Sequence, residues 1–396
     1  MAEAPCPGRE TAGAATRSGS PRGARAAVGA LFFANGAAFS TWAARVPAVT
    51  ENLGLSAGEL AVALIGLSVG ALLGLPVAGG LVAQRGSRPV LAGGVAVYLL
   101  ALPLIGFAPG LIGLTAVLTV FACGNAAVDV AMNAQGVLVE RATGRAVLGR
   151  LHAMFSLGGI AGALVGGVAA AADIGVRPHF AVAAVALAAV FALAGTRLLP
   201  DDPGRERSRL RLALPSAGLW APGAVVFCAL MSEGVMNDWG ALYLRDAVGS
   251  SAGTAAFGFA LFSAGMVVGR LSGDTVHERF GTVRLLQLSG LLGAAGALLT
   301  AAAPGPPAAL AGFALLGLGL AAVVPAVFRH AAGLDQGRPG PSIAAVSTLG
   351  YTGFLAGPPV IGVIAELTGL RAAMLVLLLL LTVLTITAHR LRAPDS

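Results

Sequence analysis

The sequence predicts an all-α membrane protein with twelve transmembrane helices arranged as two bundles of six. Hydrophobic residues make up 57% of the 396 residues and charged residues only 11%, a balance that soluble globular domains do not show. Apolar runs of about 20 residues, the length that crosses a bilayer as a helix, recur along the chain. A charged, proline-flanked segment divides these runs into two sets of six, and the alternation typical of membrane-spanning strands is missing from the sequence.

The first half contains six apolar runs between charged or Pro/Gly-rich breaks. Residues 1–25 are small, polar and Arg-bearing, and we expect a disordered cytoplasmic tail there. The next run ends in small residues, as signal peptides also do, but we favour a retained helix because eleven further spans need an anchored start. The N-terminal bundle is predicted at 26–197, with spans near 26–44, 58–82, 89–108, 111–138, 150–171 and 179–197.

The second half begins after a charged segment between Pro200 and Pro215. Its composition predicts a solvated cytoplasmic linker at 198–216. The C-terminal bundle is predicted at 217–389 and a cytoplasmic tail at 390–396. The six predicted spans of this bundle lie near 217–237, 251–272, 283–303, 307–329, 342–367 and 372–389.

The distribution of arginines predicts the orientation of the chain. If the N-terminus is cytoplasmic, only Arg45, Arg177, Arg245 and Arg371 fall outside. Positive residues accumulate in cytoplasmic loops, so both termini are predicted to be cytoplasmic. The net charge of +7 is then a topology signal, and we expect no nucleic-acid partner.

A similar turn follows the second span of each half. The first turn carries Arg85 and Arg88 beside a glycine, and the second carries Glu278, Arg279 and Gly281. Charged side chains on a tight glycine turn can bridge neighbouring helix ends and hold one conformation closed. An ordinary basic cytoplasmic turn is the alternative. Because the turn occupies matching places in both halves, we predict two gating turns.

Four short stretches match a known family: STWAAR at 40–45, DVAMN at 129–133, EG and NDW within 233–239, and GPP with GLR within 357–371. Together with twelve spans, a central linker and two glycine turns, they resemble the major facilitator superfamily. More narrowly, they are similar to the YbjJ-type bacterial inner-membrane proteins, which are related to the fucose permease group. The resemblance implies a multi-pass protein of the bacterial inner membrane. The first turn departs from the superfamily pattern, because Gln84 stands where an Asp is usual.

Two acids fall inside predicted spans. Asp129 lies on the fourth span, with Asn125 and Asn133 one turn away on the same face, and Glu233 lies on the seventh span one turn before Asn237. Charged groups in a membrane are costly and usually face a water-filled path or a partner, and a poorly hydrated carboxyl group favours its protonated form. We predict that both acids are proton-coupling residues and that the three asparagines contact substrate. Fixed hydrogen bonds or ion pairs that pin helices together are the alternative.

Two further residues are predicted as substrate contacts. The resemblance implies that the first helix of each three-helix unit lines a central cavity, which includes the span that carries Asn35. Tyr351 on the eleventh span is an aromatic residue that can stack on a sugar face. The resemblance also maps the acid-xxx-Asn pattern of the fucose-permease-like proteins onto Asp129 and Asn133.

Several function classes find no support in the sequence. A paired-His zinc motif, a phosphate-cradling loop and a nucleophile elbow are all missing, so we expect no enzyme, no metal, no cofactor and no coupling to ATP. The three cysteines, Cys6, Cys123 and Cys228, indicate neither a disulfide framework nor a metal site. A channel would need a symmetric ring of selectivity groups, which two unlike halves do not provide.

The predicted function is secondary active transport by a monomer, with uptake of a small polar, sugar-like solute in symport with protons. Proton-antiport efflux of a lipophilic or cationic compound is the alternative, and a sensor or scaffold without flux is a third class. The fifth span carries Gly158, Gly162, Gly166 and Gly167, close to the glycine motif of drug exporters, but Ala163 replaces the expected proline. Close helix packing is the default explanation for these glycines.

Overall fold

The structure, a computed structural model, describes residues 21–144, 147–201, 217–334 and 339–391. The predicted tails and linker therefore lie largely outside the described residues. The described chain is helical, without strands. Its helices are α1 (Pro21–Ala43), α2 (Val46–Leu53), α3 (Ala57–Arg85), α4 (Ser87–Ile105), α5 (Gly110–Thr143), α6 (Leu148–Ala171), α7 (Val176–Gly195), α8 (Trp220–Leu242), α9 (Ala252–Ala301), α10 (Pro306–Leu320), α11 (Val323–Leu334), α12 (Pro339–Thr368), α13 (Leu370–Ala373) and α14 (Leu375–Ala388).

The helices confirm the predicted all-α membrane fold. Within the described ranges, 11 helical segments are long and apolar enough to cross a membrane. The remaining position is filled by α8, which is 23 residues long and carries Glu233, Asn237 and Asp238. These polar side chains lower its mean hydropathy, so α8 completes the two sets of six. The bundle limits at 26–197 and 217–389 remain predictions.

Three local features differ from the predicted spans. Spans eight and nine adjoin each other directly within α9, at a kink where Gly281 adopts the non-helical values φ 76° and ψ 171°. Span ten is divided into α10 and α11. The short helix α2 was not predicted; it has a proline in its first turn and ends at Gly54 with φ 63°, a left-handed conformation that glycine adopts without strain.

The bundle has two ends. The linker end is defined by the turn at Gly86, the break at Gly281 and the start of α8; the far end is defined by α2 and Gly369. In the first half α5 packs on α3 and α4, and α1 packs on α6; in the second half α9 packs on α10, and α8 packs on α12. The two halves meet where α6 packs along α9 and where α3 packs on α12.

Glycines bring the helices of the first half into backbone contact. A Cβ atom added at Gly158 would overlap the carbonyl group of Phe33, and one added at Gly162 would overlap that of Ala37. Gly167 faces the other way, onto the ring of Phe257 in the second half. These contacts account for the glycine pattern of the fifth predicted span by close packing.

The four arginines predicted to lie outside all occur at the far end, where each donates to backbone carbonyl groups. Arg45 donates to Ile174 at 2.7 Å and Arg177 to Gly106 at 2.8 Å. Arg371 donates to Ala303 at 2.7 Å. Carbonyl groups at helix ends lack intrahelical donors, so these arginines satisfy helix termini, which accounts for positive charge at this end.

The remaining far-end arginine joins the two halves. Arg245 donates to the carbonyl of Pro47 at 2.6 Å and pairs with Glu51 at 3.1 Å. A second contact lies nearby, because the Gly58 amide donates to the carboxylate of Glu366 at 2.7 Å. The far end is therefore held together by hydrogen bonds between the halves.

A further hydrogen bond between the halves involves a carbonyl group that a proline leaves without a helical donor. Pro359 lies inside α12 and has no amide hydrogen, so the carbonyl of Leu355, four residues earlier, loses its helical donor. The hydroxyl group of Ser68 on α3 donates to this carbonyl at 3.2 Å. A side chain of one half thus completes the backbone of a helix in the other.

The two predicted gating turns share a backbone conformation. Gly86 adopts φ 85° and ψ 167°, close to the values at Gly281. The charged residues of the second turn, Glu278 and Arg279, are exposed, and the Arg279 guanidinium lies over the Phe280 ring at 5.4 Å. The repeated turn is therefore present, whereas its gating role stays a prediction.

The first turn is bonded to its own half. Arg85 is exposed, while Arg88 donates to the carbonyl of Leu198. Gln135 on α5 donates to Ser87 at 2.7 Å and to the carbonyl of Leu199 at 2.9 Å. These bonds join the ends of α4, α5 and α7, so the turn stabilises one bundle.

Candidate functional site

The fourth span presents a polar face, as predicted. Asp129 on α5 is half-buried, and the Asn133 side chain donates to its carbonyl oxygen at 2.9 Å and to its carboxylate at 3.2 Å. Asn125, one turn earlier, has a buried Oδ1 atom without a hydrogen-bond partner among the described residues. Asp129 is close enough to Tyr98 on α4 for an electrostatic interaction.

The second predicted acid has a basic neighbour. Glu233 on α8 is half-buried and interacts electrostatically with Arg270 on α9. Arg270 in turn reaches across to the first half, where its Nη1 atom donates to the Ser156 hydroxyl and, at 3.4 Å, to the carbonyl of His152. Its positive charge therefore lies between an acid of its own half and acceptors of the other.

Tyr351 lies near both acids. It lies on α12, is 47% exposed, and is close enough to both Asp129 and Glu233 to interact with each. Since these acids belong to different halves, the tyrosine must lie between the halves rather than against lipid. The structure thus brings Asp129, Glu233 and Tyr351 to one region that retains accessible surface.

Two predicted substrate contacts are more enclosed. Asn35 on α1 is 1% exposed, and its Oδ1 atom has no hydrogen-bond partner among the described residues. Asn237 on α8 is 8% exposed. Their roles as substrate contacts stay predictions, and both side chains are buried in this conformation.

The sequence analysis missed several polar residues near the acids. Arg270 lies inside an apolar run, and an arginine in a predicted span was a sufficient signal. Ser156 and Tyr98 offered no such signal, because a single hydroxyl group is common in transmembrane helices. Asp238, next to Asn237, is 2% exposed with a buried Oδ1 atom that has no hydrogen-bond partner among the described residues, and the sequence analysis assigned it no role.

The arrangement distinguishes the chemistry of the two acids. Glu233 has the positive charge of Arg270 nearby, whereas the polar neighbours described above for Asp129 are an amide and two phenols. A charge without a countercharge in a poorly hydrated site favours neutralisation by a proton.

In the part of the chain that the structure describes, His, Cys, Asp and Glu do not gather into a cluster of three that could hold a metal ion.

Comparison with known families gives a match over most of the chain. The family model described as Major Facilitator Superfamily matches residues 27–328. An uncharacterized MFS-type transporter of Yersinia pestis is 36% identical over 354 residues, which cover 89% of this chain and 92% of that protein. The membrane protein MosC of Rhizobium meliloti is 34% identical over 359 residues, 88% of this chain and 85% of that protein.

Solved structures show the same fold at low sequence identity. The nucleoside transporter NupG aligns with a TM-score of 0.71 at 14% identity and covers 93% of this chain and 98% of its own. The transporter FucP in the outward conformation aligns with a TM-score of 0.63 at 17% identity, over 93% of this chain and 99% of its own.

Proposed function

Because the chain belongs to the Major Facilitator Superfamily, we propose that this multi-pass membrane protein takes up a small polar, sugar-like solute in symport with protons. The family consists of transporters rather than enzymes, and its fold is that of secondary transport. The likeness of the short stretches to the YbjJ-type proteins, and the FucP-like fold, support a polar solute. We propose a monomer, because each chain contains both halves of the fold.

One observation carries this proposal: an accessible tyrosine lies between two acids that belong to different halves. Tyr351 lies near both Asp129 and Glu233, so a solute beside it would lie near polar groups of both bundles. In alternating access the two halves move about such a central site. Asp129 is the proposed proton carrier because its polar neighbours among the described residues are uncharged, and Glu233 is the second acid.

The proposed orientation places the linker end in the cytoplasm. Apart from the four far-end arginines, which cap helix ends, the arginines of the described spans and turns cluster toward the linker end, in agreement with the positive-inside rule. Since hydrogen bonds between the halves close the far end, the conformation corresponds to a transporter closed to the outside.

A thermal-stability screen of the purified protein in detergent tests the function. Sugars, organic acids and lipophilic cations serve as probes at two pH values, since ligands that bind the folded state raise its stability. We expect stabilisation by a neutral polar solute, stronger at the lower pH and lost in Asp129→Asn. Stabilisation by lipophilic cations alone, strongest at the higher pH, would contradict uptake and favour efflux.

Loss of the Arg245 contacts should open the far end. Arg245→Ala removes the bond to Pro47 and the ion pair with Glu51, and a hydrogen bond to a charged group contributes about 1.5–3 kcal/mol, less where it is exposed. Ala61, which is 4% exposed and packs against Gly362 of the other half, can report opening as Ala61→Cys in a chain without its native cysteines. We expect a maleimide to label it about fivefold faster in nanodiscs.

The matched control for this experiment is Glu51→Gln, which removes the ion pair and leaves the bond to Pro47. Because exposed ion pairs contribute about 0–1 kcal/mol, labelling in this variant should stay near that of the parent. Equal labelling rates in the parent and in Arg245→Ala would show that the contact does not hold the far end closed.

A further inference from the structure

Two buried side chains at the far end of the first half have hydrogen-bonding atoms without partners. Arg45 is 5% exposed, and its Nη2 atom donates to the carbonyl of Ile174 at 2.7 Å. Its Nε and Nη1 atoms have no partner among the described residues. His179 on α7 is 6% exposed, and both of its ring nitrogens also lack a partner within the described chain. A guanidinium group and an imidazole ring are thus enclosed with hydrogen-bonding capacity unused.

The two side chains lie at the same place, the turn between α6 and α7. The carbonyl that Arg45 reaches belongs to the residue before Gly175, and the amide of His179 donates to the carbonyl of Gly175 at 3.3 Å. A Cβ atom built at Gly166 on α6 would lie 3.7 Å from Cε1 of His179 and 2.7 Å from Cβ of Ala44. The imidazole ring therefore lies beside the residue that precedes Arg45.

The acids of this turn and of α2 do not neutralise Arg45. Glu51 pairs with Arg245 at 3.1 Å, and Asp173 is exposed. A buried cation without a countercharge is costly in a membrane protein. Water can accept the unused hydrogen bonds but brings no charge, whereas an anion does both, and such charge-assisted bonds are strong. His179 can donate a further bond, because a neutral imidazole carries a hydrogen on one nitrogen in either tautomer.

A cavity reaches this position from the surface of the far end. Its volume is about 410 Å³, and its lining includes Gly175 and Val49, whose amide donates to the carbonyl of Arg45 at 3.0 Å. Arg177, which is exposed, also lines the cavity, and positive charge at such an opening raises the local concentration of anions. A small anion can therefore approach Arg45 from the far end.

We propose that Arg45 and His179 bind a small monovalent anion of the chloride type, and that the bound anion stabilises the closed far end. One negative charge balances one guanidinium group, and the enclosed position suits a small ion. Arg45 is the N-cap residue of α2. The contact between the halves depends on α2, because Pro47 and Glu51 accept the bonds from Arg245. An anion that fixes the Arg45 side chain thus fixes the start of the helix that carries these acceptors.

Thermal unfolding of the full-length protein in detergent tests the site, with sodium chloride and sodium gluconate compared at equal concentration. Gluconate carries the same charge but is too large for the enclosed position. A ligand that binds the folded state raises its stability by mass action. We therefore expect the unfolding temperature of the wild type to be about 2–4 °C higher in chloride than in gluconate, with an effect that saturates as chloride increases.

Two variants and a matched control distinguish a built site from a general salt effect. Arg45→Gln removes the positive charge and should abolish the chloride effect. His179→Leu removes the ring nitrogens, leaves the bond from Arg45 to Ile174 in place and should weaken the effect, so it decides the question if Arg45→Gln does not fold. The control is Arg371→Gln. Arg371 also carries one charge at the far end and donates to Ala303 at 2.7 Å, so this variant should keep the full chloride effect.

Maleimide labelling of Ala61→Cys measures the effect on the far end, in nanodiscs and in a chain without native cysteines. Relative to free cysteine in the same salt, labelling should be about fivefold slower in chloride than in gluconate, and His179→Leu should reduce this difference.

Three results would each overturn the inference: equal unfolding temperatures of the wild type in the two salts, an undiminished chloride effect in both variants, or equal labelling rates in the two salts. Both measurements are made without a solute or a proton gradient. The anion site can therefore be confirmed or rejected whatever the outcome for the proposed transport.

Discussion

Asp129→Asn is expected to abolish accumulation of solute on a proton gradient while leaving the protein folded in the membrane. Asparagine has nearly the same shape and keeps a side-chain oxygen for the Asn133 amide, which donates to Asp129 at 3.2 Å. It cannot bind and release a proton near neutral pH. Uptake of radiolabelled sugars and organic acids into proteoliposomes should fall to the level of protein-free liposomes, whereas exchange without a gradient should persist.

The matched control is Asp173→Asn, at an exposed turn of the far end. Asp173 has φ 53°, a conformation that asparagine also adopts readily, so this variant should accumulate solute like the wild type. Full proton-driven accumulation by Asp129→Asn would remove the proton-carrier role and leave Asp129 as a helix-pinning residue. Loss of both accumulation and exchange, with normal folding, would instead make Asp129 a substrate ligand.

Gly158→Ala is expected to destabilise the first bundle strongly. The added methyl group would overlap the Phe33 carbonyl on α1, and backbone atoms at a helix contact have little freedom to move away. Overpacking of this kind costs about 1–3 kcal/mol, and the rigid partner favours the upper part of that range. Thermal unfolding in detergent, or the yield of monodisperse protein, measures the effect.

Gly149→Ala on the same helix provides the comparison. A Cβ atom at Gly149 meets no atom within 4 Å, and alanine favours helix over glycine by about 1 kcal/mol. This variant should unfold at the same temperature as the wild type or slightly higher. If both variants behave alike, the helices α1 and α6 can separate by the width of a methyl group, and the close-packing explanation would be wrong.

The sequence predicted the spans because long apolar runs leave a chain few alternatives in a bilayer. It missed α2 because its 8 residues are too few for a periodic pattern, and it ended the seventh span at 237 because the polar residues Asn237 and Asp238 interrupt the apolar run. In the structure α8 continues to Leu242. Tertiary contacts, not hydropathy, set that boundary.

The candidate site was predictable only in part, for a physical reason. A carboxylate inside a membrane-spanning run is energetically costly whichever way it points, so Asp129 and Glu233 could be identified as candidate site residues from their positions in apolar runs. The direction in which a side chain points depends on how its helix is rotated against its neighbours. The pattern therefore did not show that Asn35 is enclosed, that Tyr351 lies beside both acids, or that Arg270 reaches across to α6.

The carbonyl of Leu355 influences which kind of molecule the opened cavity accepts. In the present conformation Ser68 of the opposite half replaces its missing helical donor. When the halves separate here, the carbonyl oxygen loses this hydrogen bond. A buried polar group without a hydrogen-bond partner costs about 1–3 kcal/mol. Water or a hydroxyl-rich solute supplies the donor, whereas a hydrocarbon surface does not. Because of this single proline, separating the halves costs less free energy when water or solute donates a hydrogen bond to the exposed carbonyl. A hydroxylated solute therefore lowers the free-energy cost of the conformational change that transports it.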